Sequence, residues 1–526
     1  MTASSAPQQD RTHLDAAPSQ PAAPRRGTLR DWIALGLLMF PVLLVAVDNT
    51  ALTFALPAIA RALGTSGVEL LWIVDAYPLV LAGLLVAMGS LGDRIGRRRL
   101  LIIGSIGFAA VSAATAFAPG SSWLIAGRAA LGLFGAMLMP STLSLIRNIF
   151  PDPNRRRLAI AIWAAGFSGG AALGPIFGGW LVEQFWWGAV FLVAVPIMLP
   201  LLAFGPAFIP ESRDPSPGRV DGPSILLSLL TMVPVVYGIK EYATEGPGPL
   251  ALGSVAFGLV MGAAFVRRQH RLDSPLLDMS LFRNRVFSMA ITANVLALFS
   301  FNGFILFLAQ HLQLLEGMSP SAAGMAMIPA LVATVAAGLA VVPLVRKIRP
   351  GFVVGAGLGM SAAGYSLVTF GSHSNGPALL LAALLVLALG VGTAETISND
   401  LILGSVPAEK SGAASAISET GYEVGALLGT AVLGSILTAS YQHNLHLPAG
   451  VAEAAGGQGT AHAGETLAGA MELAAGLPAP LADAVRQAAG SAFDSGVHVT
   501  AAIGLVLMAT AAVLAAVVLR KVPKAR

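Results

Sequence analysis

Long apolar stretches with almost no charge recur along the whole 526-residue chain. About 20 residues at 1.5 Å each cross a hydrocarbon core of roughly 30 Å, so each stretch predicts one spanning helix. The stretches fall near 31–58, 69–91, 100–118, 122–147, 158–182, 187–209, 222–240, 250–267, 286–314, 321–345, 351–371, 377–403, 411–440 and 497–520, which predicts fourteen spans.

Basic residues test that count, because Lys and Arg accumulate in short loops on the cytoplasmic side. With the N-terminus inside, the loops after even-numbered spans hold Arg94, Arg97, Arg98 and Arg99; Arg155 to Arg157; Arg213 and Arg219; Arg267, Arg268, Arg271, Arg283 and Arg285; Arg346, Lys347 and Arg349; and Lys410. The loops on the other side hold only Arg61, Lys240 and Arg486. An odd number of spans would scramble this alternation. The expectation is a multi-pass protein of the cell (inner or plasma) membrane with both termini cytoplasmic.

Composition agrees with that picture and narrows the chemistry. Apolar residues make up 55% and charged residues 11%, too little charge to cover a soluble protein of this size. The absence of cysteine excludes thiol chemistry, disulfides and thiolate metal sites. Eight histidines, mostly in loops and tails, form no metal or nucleophile–base cluster, so neither a metal, a cofactor nor a catalytic residue is expected. The net charge of +4 belongs to topology-setting loops rather than to a nucleic-acid site. A Pro/Ala/Ser/Gln tail over residues 1–27 is too polar to pack and is expected to be disordered. The long loop 441–496 carries Glu453, Glu465, Glu472, Asp483 and Asp494 against Arg486 alone. Helical spacing near 465–475 and 479–493 predicts a hairpin over the outer mouth.

Four motifs carry more specific information. Residues 89–101 read GSLGDRIGRRRLL, in which Gly89 and Gly96 permit a tight turn between approaching helices. Asp93, Arg94, Arg97 and Arg98 can pair there with helix ends and carboxylates. Span 4 reads LIAGRAALGLFGA over 124–136 and buries Arg128, a charge that requires a partner or a wet cavity. Span 5 reads GAALGPIFGG over 170–179. Pro175 removes a helical hydrogen bond, while Gly170, Gly174, Gly178 and Gly179 let a neighbouring helix approach at backbone distance. Spans 1 and 2 carry VDNTALTFALP (47–57) and LWIVDAYPLVLAG (71–83), each with one acid inside the span.

These segments resemble the major facilitator superfamily. The loop matches GxLxDRxGRR, span 4 is similar to LxxxRxxxGxxxA, and span 5 matches GxxxGPxxGG of the antiporter branch. Spans 1 and 2 look like the fourteen-helix drug:proton antiporters, whose DxTxxNxALP signature is met except that Thr53 replaces the asparagine. The likeness extends over nearly the whole chain and is greatest to exporters of quaternary ammonium compounds, dyes and fluoroquinolones of actinobacterial type. It implies an all-α major facilitator fold: a six-helix bundle over 28–210, two inserted helices over 211–270, a second six-helix bundle over 271–520 that includes the outer loop 441–496, and a tail over 521–526. It also implies that Arg128 takes part in proton coupling and that residues 89–98 form a gating loop.

The acids inside spans are the expected working parts. Asp48 lies about 24 Å along span 1 from the cytoplasm and Asp75 about 9 Å in from the outer end of span 2, at 1.5 Å per residue. Glu419 and Glu423 are four residues apart on one face of span 13, and Glu395 and Asp400 lie towards the cytoplasmic end of span 12. Such a carboxylate can hold either a proton or a cationic compound, and that competition couples their movements. Trp72, Tyr77, Trp163, Phe167 and Tyr422 are the aromatic candidates for stacking on planar cations.

The expected function is therefore proton-coupled efflux of lipophilic, mainly cationic compounds by a monomer that uses the proton gradient and no cofactor. A dedicated exporter of one endogenous metabolite, antibiotic or lipid is the alternative. A membrane-embedded enzyme would need a reactive cluster at the membrane face, and a sensor would need a large soluble output domain; the sequence supplies neither.

Overall fold

The computed structural model describes residues 28–213, 221–246, 248–272, 275, 277–371, 376–406, 411–448, 450–451 and 460–523, so the expected tail at 1–27 lies outside the described residues. Short polar residues fix where helices begin. The Asp31 carboxylate accepts from the Thr28 backbone N–H at 2.7 Å at the head of α1 (Leu29–Leu63), and Ser66 with Glu69 forms a capping box for α2 (Gly67–Ile95). After α3 (Arg97–Ala116) and α4 (Ser121–Ile149), Asp152 caps α5 (Pro153–Gln184), and α6 (Ala189–Phe208) completes the first half. Helices α7 (Gly222–Glu245) and α8 (Pro249–Gln269) form the inserted hairpin.

The second half begins with α9 (Arg285–Gln310), extended by a π turn at His311–Leu315. It continues through α10 (Pro320–Leu344), α11 (Pro350–Phe370), α12 (Gly376–Gly404) and α13 (Ser411–Leu428). A second π turn, Gly429–Leu433, leads into α14 (Gly434–Asn444), followed by the short α15 (Leu467–Ala475) and the 40-residue α16 (Ala479–Val518).

Among the described residues, thirteen helical stretches are long and apolar enough to span a membrane, and they coincide with every expected span except the fifth. The fifth falls on α5, a helix of 32 residues. Two expectations are corrected. The expected helix 479–493 and span 14 are one continuous rod, because no residue between 479 and 518 breaks the helix. Span 7 does not stop at 240: α7 runs to Glu245, and Lys240 is buried within it rather than lying in an outer loop.

Two separate buried clusters form the cores of the halves. One draws on α1–α6 with Leu306 from α9, and the other on α9–α16 with Phe54 from α1. The inserted hairpin is different: only 17% of the α7 window and 11% of the α8 window are buried, so most of its surface is left for lipid. Where it does pack, Val236 of α7 meets Leu79 of α2 with Leu427 and Ala431 of the second half in a small third cluster.

Candidate functional site

The face where α1 begins and α16 ends, here the terminal face, is marked by two bonds. Arg30 Nη2 donates to the Ala207 carbonyl at 2.7 Å, and Arg349 Nη1 donates to the Arg520 carbonyl at 3.0 Å. Between this face and the opposite one, three buried charges of the first half are satisfied in two pairs with a fourth.

Arg128 of α4 donates through Nη1 to Asp48 Oδ2 of α1 at 2.7 Å, and the two side chains are only 2% and 4% exposed. Its Nε donates to the Ile73 carbonyl of α2 at 3.0 Å, and its guanidinium stands 4.6 Å from the Tyr77 ring centre. One arginine thus ties three helices together, which is how a charge becomes tolerable at this depth.

Asp75 of α2 pairs with Lys240 of α7, Nζ to Oδ2 3.0 Å, at 0% and 1% side-chain exposure. The Lys240 ammonium also lies over the Trp72 ring, 4.0 Å from its centre. Thr430 of the second half donates its hydroxyl to Asp75 Oδ1. Thr430 sits in the π turn after α13; such turns shift the register of a helix and recur at functional positions.

A central cavity of about 110 Å³ lies between the halves. Its wall takes Asn49, Thr50 and Thr53 from α1, Arg128 from α4, Phe167 from α5, Asn302 from α9, and Tyr422, Glu423 and Thr430 from the second half. Trp163 stacks on Phe167 at 6.2 Å between centres, and Phe167 meets Tyr422 edge-on at 6.2 Å, so the three rings continue one another across the two halves. Trp163 is held by donating Nε1–H to the Thr142 hydroxyl at 3.1 Å. Glu423 is buried on the wall; Glu419, one turn towards the terminal face, lies within range to repel both Glu423 and Glu395 of α12.

The remaining candidates stand apart from this cavity. Tyr77 is wholly buried against Phe108 under Arg128, and Trp72 is committed to Lys240 and the Tyr237 ring. Neither is on the wall of this cavity: their rings face charges within the protein. Asp400 is exposed near the end of α12.

The loop motif docks on the end of the first half. Gly96 has φ +111°, and a Cβ there would lie 2.7 Å from the Glu211 carboxyl carbon. Glu211 accepts from the Arg98 backbone N–H at 3.1 Å, and Arg98 Nη1 donates to the Pro206 and Ile209 carbonyls at 3.1 and 3.0 Å. Arg97 donates to the Ser212 hydroxyl at 3.1 Å, Arg94 is exposed, Gly89 faces Pro140, and the Asp93 side chain lies outside the described residues.

The glycines of α5 serve two neighbours. Gly170, Gly174 and Gly178 face α1, where a Cβ on Gly178 would come within 2.8 Å of Ala51 Cα. Pro175 faces Gly324 and Gly179 meets the backbone of Pro320 and Ser321, all on α10 of the other half. At the same end Glu183 accepts from the Ser321 backbone N–H at 2.8 Å and from its hydroxyl at 2.7 Å. On the opposite face, then, the halves are sealed by direct backbone approach.

Comparison with known proteins places this arrangement of two bundles in a known family. A profile described as Major Facilitator Superfamily matches residues 38–430. The chain belongs to the Major Facilitator Superfamily. Multidrug efflux pump LfrA of Mycolicibacterium smegmatis is 52% identical over 510 residues, covering 97% of this chain and all of that protein. Methyl viologen resistance protein SmvA of Salmonella typhimurium is 37% identical over 472 residues, 88% of this chain and 93% of its own. A crystal structure of a bacterial homologue of the human lysosomal transporter Spinster, inward-facing and unoccupied, superposes with a TM-score of 0.62 at 18% identity, over 94% of this chain and 99% of that one. The likeness of fold to that structure spans both halves.

Sequence reasoning missed several residues that the structure brings to the cavity, the buried pairs and the docked loop. Thr430, Asn49, Thr50 and Asn302 are neutral, and nothing in a single sequence separates them from the other hydroxyls and amides of the spans. Glu211 follows span 6 in a loop, and only its contact with Gly96 shows its task. Lys240 was assigned to topology because it ends a hydropathy run.

Proposed function

We propose that this superfamily member is a proton-coupled multidrug efflux antiporter that exports lipophilic, mainly cationic compounds across a cell membrane. The observation that carries the reading is the cavity wall shared by the halves, where Glu423 stands beside Phe167 and Tyr422 in an otherwise largely apolar enclosure. A planar cation finds there one counter-charge and two aromatic faces, each worth about 0.5–2 kcal/mol according to its desolvation. The names of the two relatives above support the same class of substrate.

Drug-sized ligands need roughly 300 Å³ or more, so the cavity of about 110 Å³ must widen to admit one. Rocking of the halves about the α5–α10 seam provides that change, with the Gly/Pro faces as the sliding surfaces. Exchange of one proton for one monovalent cation draws about 1.4 kcal/mol per pH unit from the gradient. A second proton adds roughly 2.3 kcal/mol per 100 mV of membrane potential. Asp48, Asp75, Glu419, Glu423 and Glu395 supply the titratable sites, Arg128 couples Asp48 to α2, both termini face the cytoplasm, and a monomer without a cofactor suffices.

Ethidium movement into inverted membrane vesicles under an imposed pH gradient tests the proposal. Gradient-dependent accumulation is expected, and its absence in vesicles that contain the protein would sink the reading.

A further inference from the structure

The seal between the halves on the opposite face ends in a carboxylate. Gly179 of α5 meets the backbone of Pro320 and Ser321 at the head of α10, and Glu183 stands about one turn further along α5. The head of α10 gives that acid its task. Pro320 opens the helix and has no N–H to offer. The Ala322 and Ala323 N–H groups are taken by the Ser319 hydroxyl and carbonyl, at 3.3 and 2.9 Å. The Ser321 N–H instead donates to Glu183 of the other half at 2.8 Å. The Ser321 hydroxyl donates to the same oxygen at 2.7 Å, and the Ser319 hydroxyl is a further donor to that carboxylate. The first turn of α10 is thus capped partly by its own residues and partly by the other half.

A carboxylate at a helix N-terminus complements the positive end of the helix dipole, and its charge-assisted bonds are stronger than neutral ones. Bonds accepted from N–H and O–H groups favour its ionised form. Of the elements packed against α5, α6 and α10 carry no charged residue. At this end α1 brings Arg61, whose Nε donates to the Pro57 carbonyl at 3.2 Å, and α4 brings Arg128, paired with Asp48. Ahead of α10, Glu316 faces His311 at 3.5 Å.

We propose that Glu183 is an ionised latch between the halves: its carboxylate completes the cap of α10 while the opposite face is sealed, and leaves it each time that face opens. The proposal rests on the alternating access of the efflux reading, which also makes the opposite face the outer one. It adds a positioning residue that sets how often the cavity is reached from outside. The latch bonds lie at an exposed surface, so water replaces them on opening. Glu183 therefore biases the equilibrium between sealed and open forms and does not lock it. The titrating acids of the cavity are left to carry the protons, and Glu183 supplies a charge that stays in place throughout the cycle.

The chain contains no cysteine, so a single introduced thiol reports on the cavity alone. Ala171→Cys places that thiol on the cavity wall. The full-length protein is labelled in intact cells with a membrane-impermeant thiosulfonate and then purified, and the rate of labelling is measured. Glu183→Gln keeps the shape and an acceptor oxygen but removes the charge. Added to the reporter, it is expected to raise the labelling rate about three- to tenfold, by the same ratio from about pH 5 to about pH 8. Ser321→Ala removes the hydroxyl donor and keeps the N–H; it is expected to raise the rate about twofold, and by less than that in the Glu183→Gln background. A Glu183→Gln rate within about 1.5-fold of the parent overturns the proposal, whether or not the unfolding temperature falls, because a merely structural cap would leave access unchanged. So does a ratio that collapses to one near pH 5, since the charge would then be titrating with the outside. Should Glu183→Gln fail to fold, Ser321→Ala carries the test, and an unchanged rate there overturns the proposal. Ethidium efflux is followed in the same cells: normal efflux by the reporter with labelling indifferent to Glu183 removes the latch alone, whereas no efflux with the expected rise in labelling removes the drug reading and leaves the latch standing.

Discussion

Arg128 and Asp48 form a salt bridge of 2.7 Å with almost no solvent at either side chain, and the same guanidinium holds the Ile73 carbonyl. Removing one partner leaves an uncompensated buried charge, at a cost of about 3–5 kcal/mol. Asp48→Asn and Arg128→Met should each abolish efflux and lower the unfolding temperature in detergent. Asp48→Asn/Arg128→Gln, which removes both charges, should unfold at a higher temperature than either single variant. A double variant no more stable than the singles would show that the pair is not what holds these helices together.

The α1–α5 seam gives a second prediction. A Cβ at Gly178 would meet Ala51 Cα at 2.8 Å, whereas a Cβ at Gly169 would meet nothing within 4 Å. Overpacking of this kind costs about 1–3 kcal/mol. Gly178→Ala should reduce ethidium efflux several-fold, and Gly169→Ala, on the same helix, should leave it near wild type. Equal effects at both positions would indicate a general response of α5 to added side chains.

How far these features were legible depends on whether the signal was local. Arg128 could be read from sequence because a charge inside a span is anomalous wherever it falls. The spacing of Gly170, Gly174 and Gly178 likewise announced a close approach, although not which neighbour approached. Lys240 was misread because hydropathy registers a lysine at the end of a run as a boundary. Its true place depends on Asp75, 165 positions earlier, and on α7 continuing for five residues more. The place of Tyr77 is not local information either: its ring lies against Phe108 and under Arg128, and the motif does not say which way that helix face looks.

The loop docking predicts a non-additive pair. Arg98 donates its backbone N–H to Glu211, and the two side chains lie 3.8 Å apart. Glu211→Ala and Arg98→Ala should each impair efflux, and the loss in the double variant should fall short of the product of the two, because both remove the side-chain pair at 3.8 Å while each also removes bonds of its own. Losses that multiply would mean that the two residues act separately.

A pH effect on stability is expected at the α7–α8 hairpin base. Arg268 donates to Asp221 at 2.7 and 3.0 Å, and these bonds hold the Asp221 carboxyl below its ordinary value. A depressed folded value adds stability that is present above the unfolded value, near 3.9, and is lost as pH falls through the folded one. Asp221→Asn should therefore lower the unfolding temperature at pH 7, with the difference from wild type closing as the pH falls below about 4. The effect should be modest, since Arg268 is 37% exposed and solvent screens the pair. A difference that persists unchanged in acid would assign the loss to helix capping instead.

Substrate charge should be read chiefly by Glu423, the acid on the cavity wall. Glu423→Gln keeps the shape and the hydrogen-bonding capacity while removing the charge. If the carboxylate meets the cargo, efflux of ethidium should fall by about tenfold, the equivalent of about 1.4 kcal/mol, while that of a neutral dye changes little. Phe167→Leu should weaken planar cations several-fold, because it removes the ring joining Trp163 to Tyr422 and hence one aromatic face of the cavity. The two variants distinguish charge from stacking: a flexible aliphatic ammonium should suffer in Glu423→Gln more than in Phe167→Leu. Equal loss of neutral and cationic dyes in Glu423→Gln would move this acid from cargo recognition to proton transfer, and the counter-charge for the cargo would then have to come from Glu419 or Glu395 deeper in the second half.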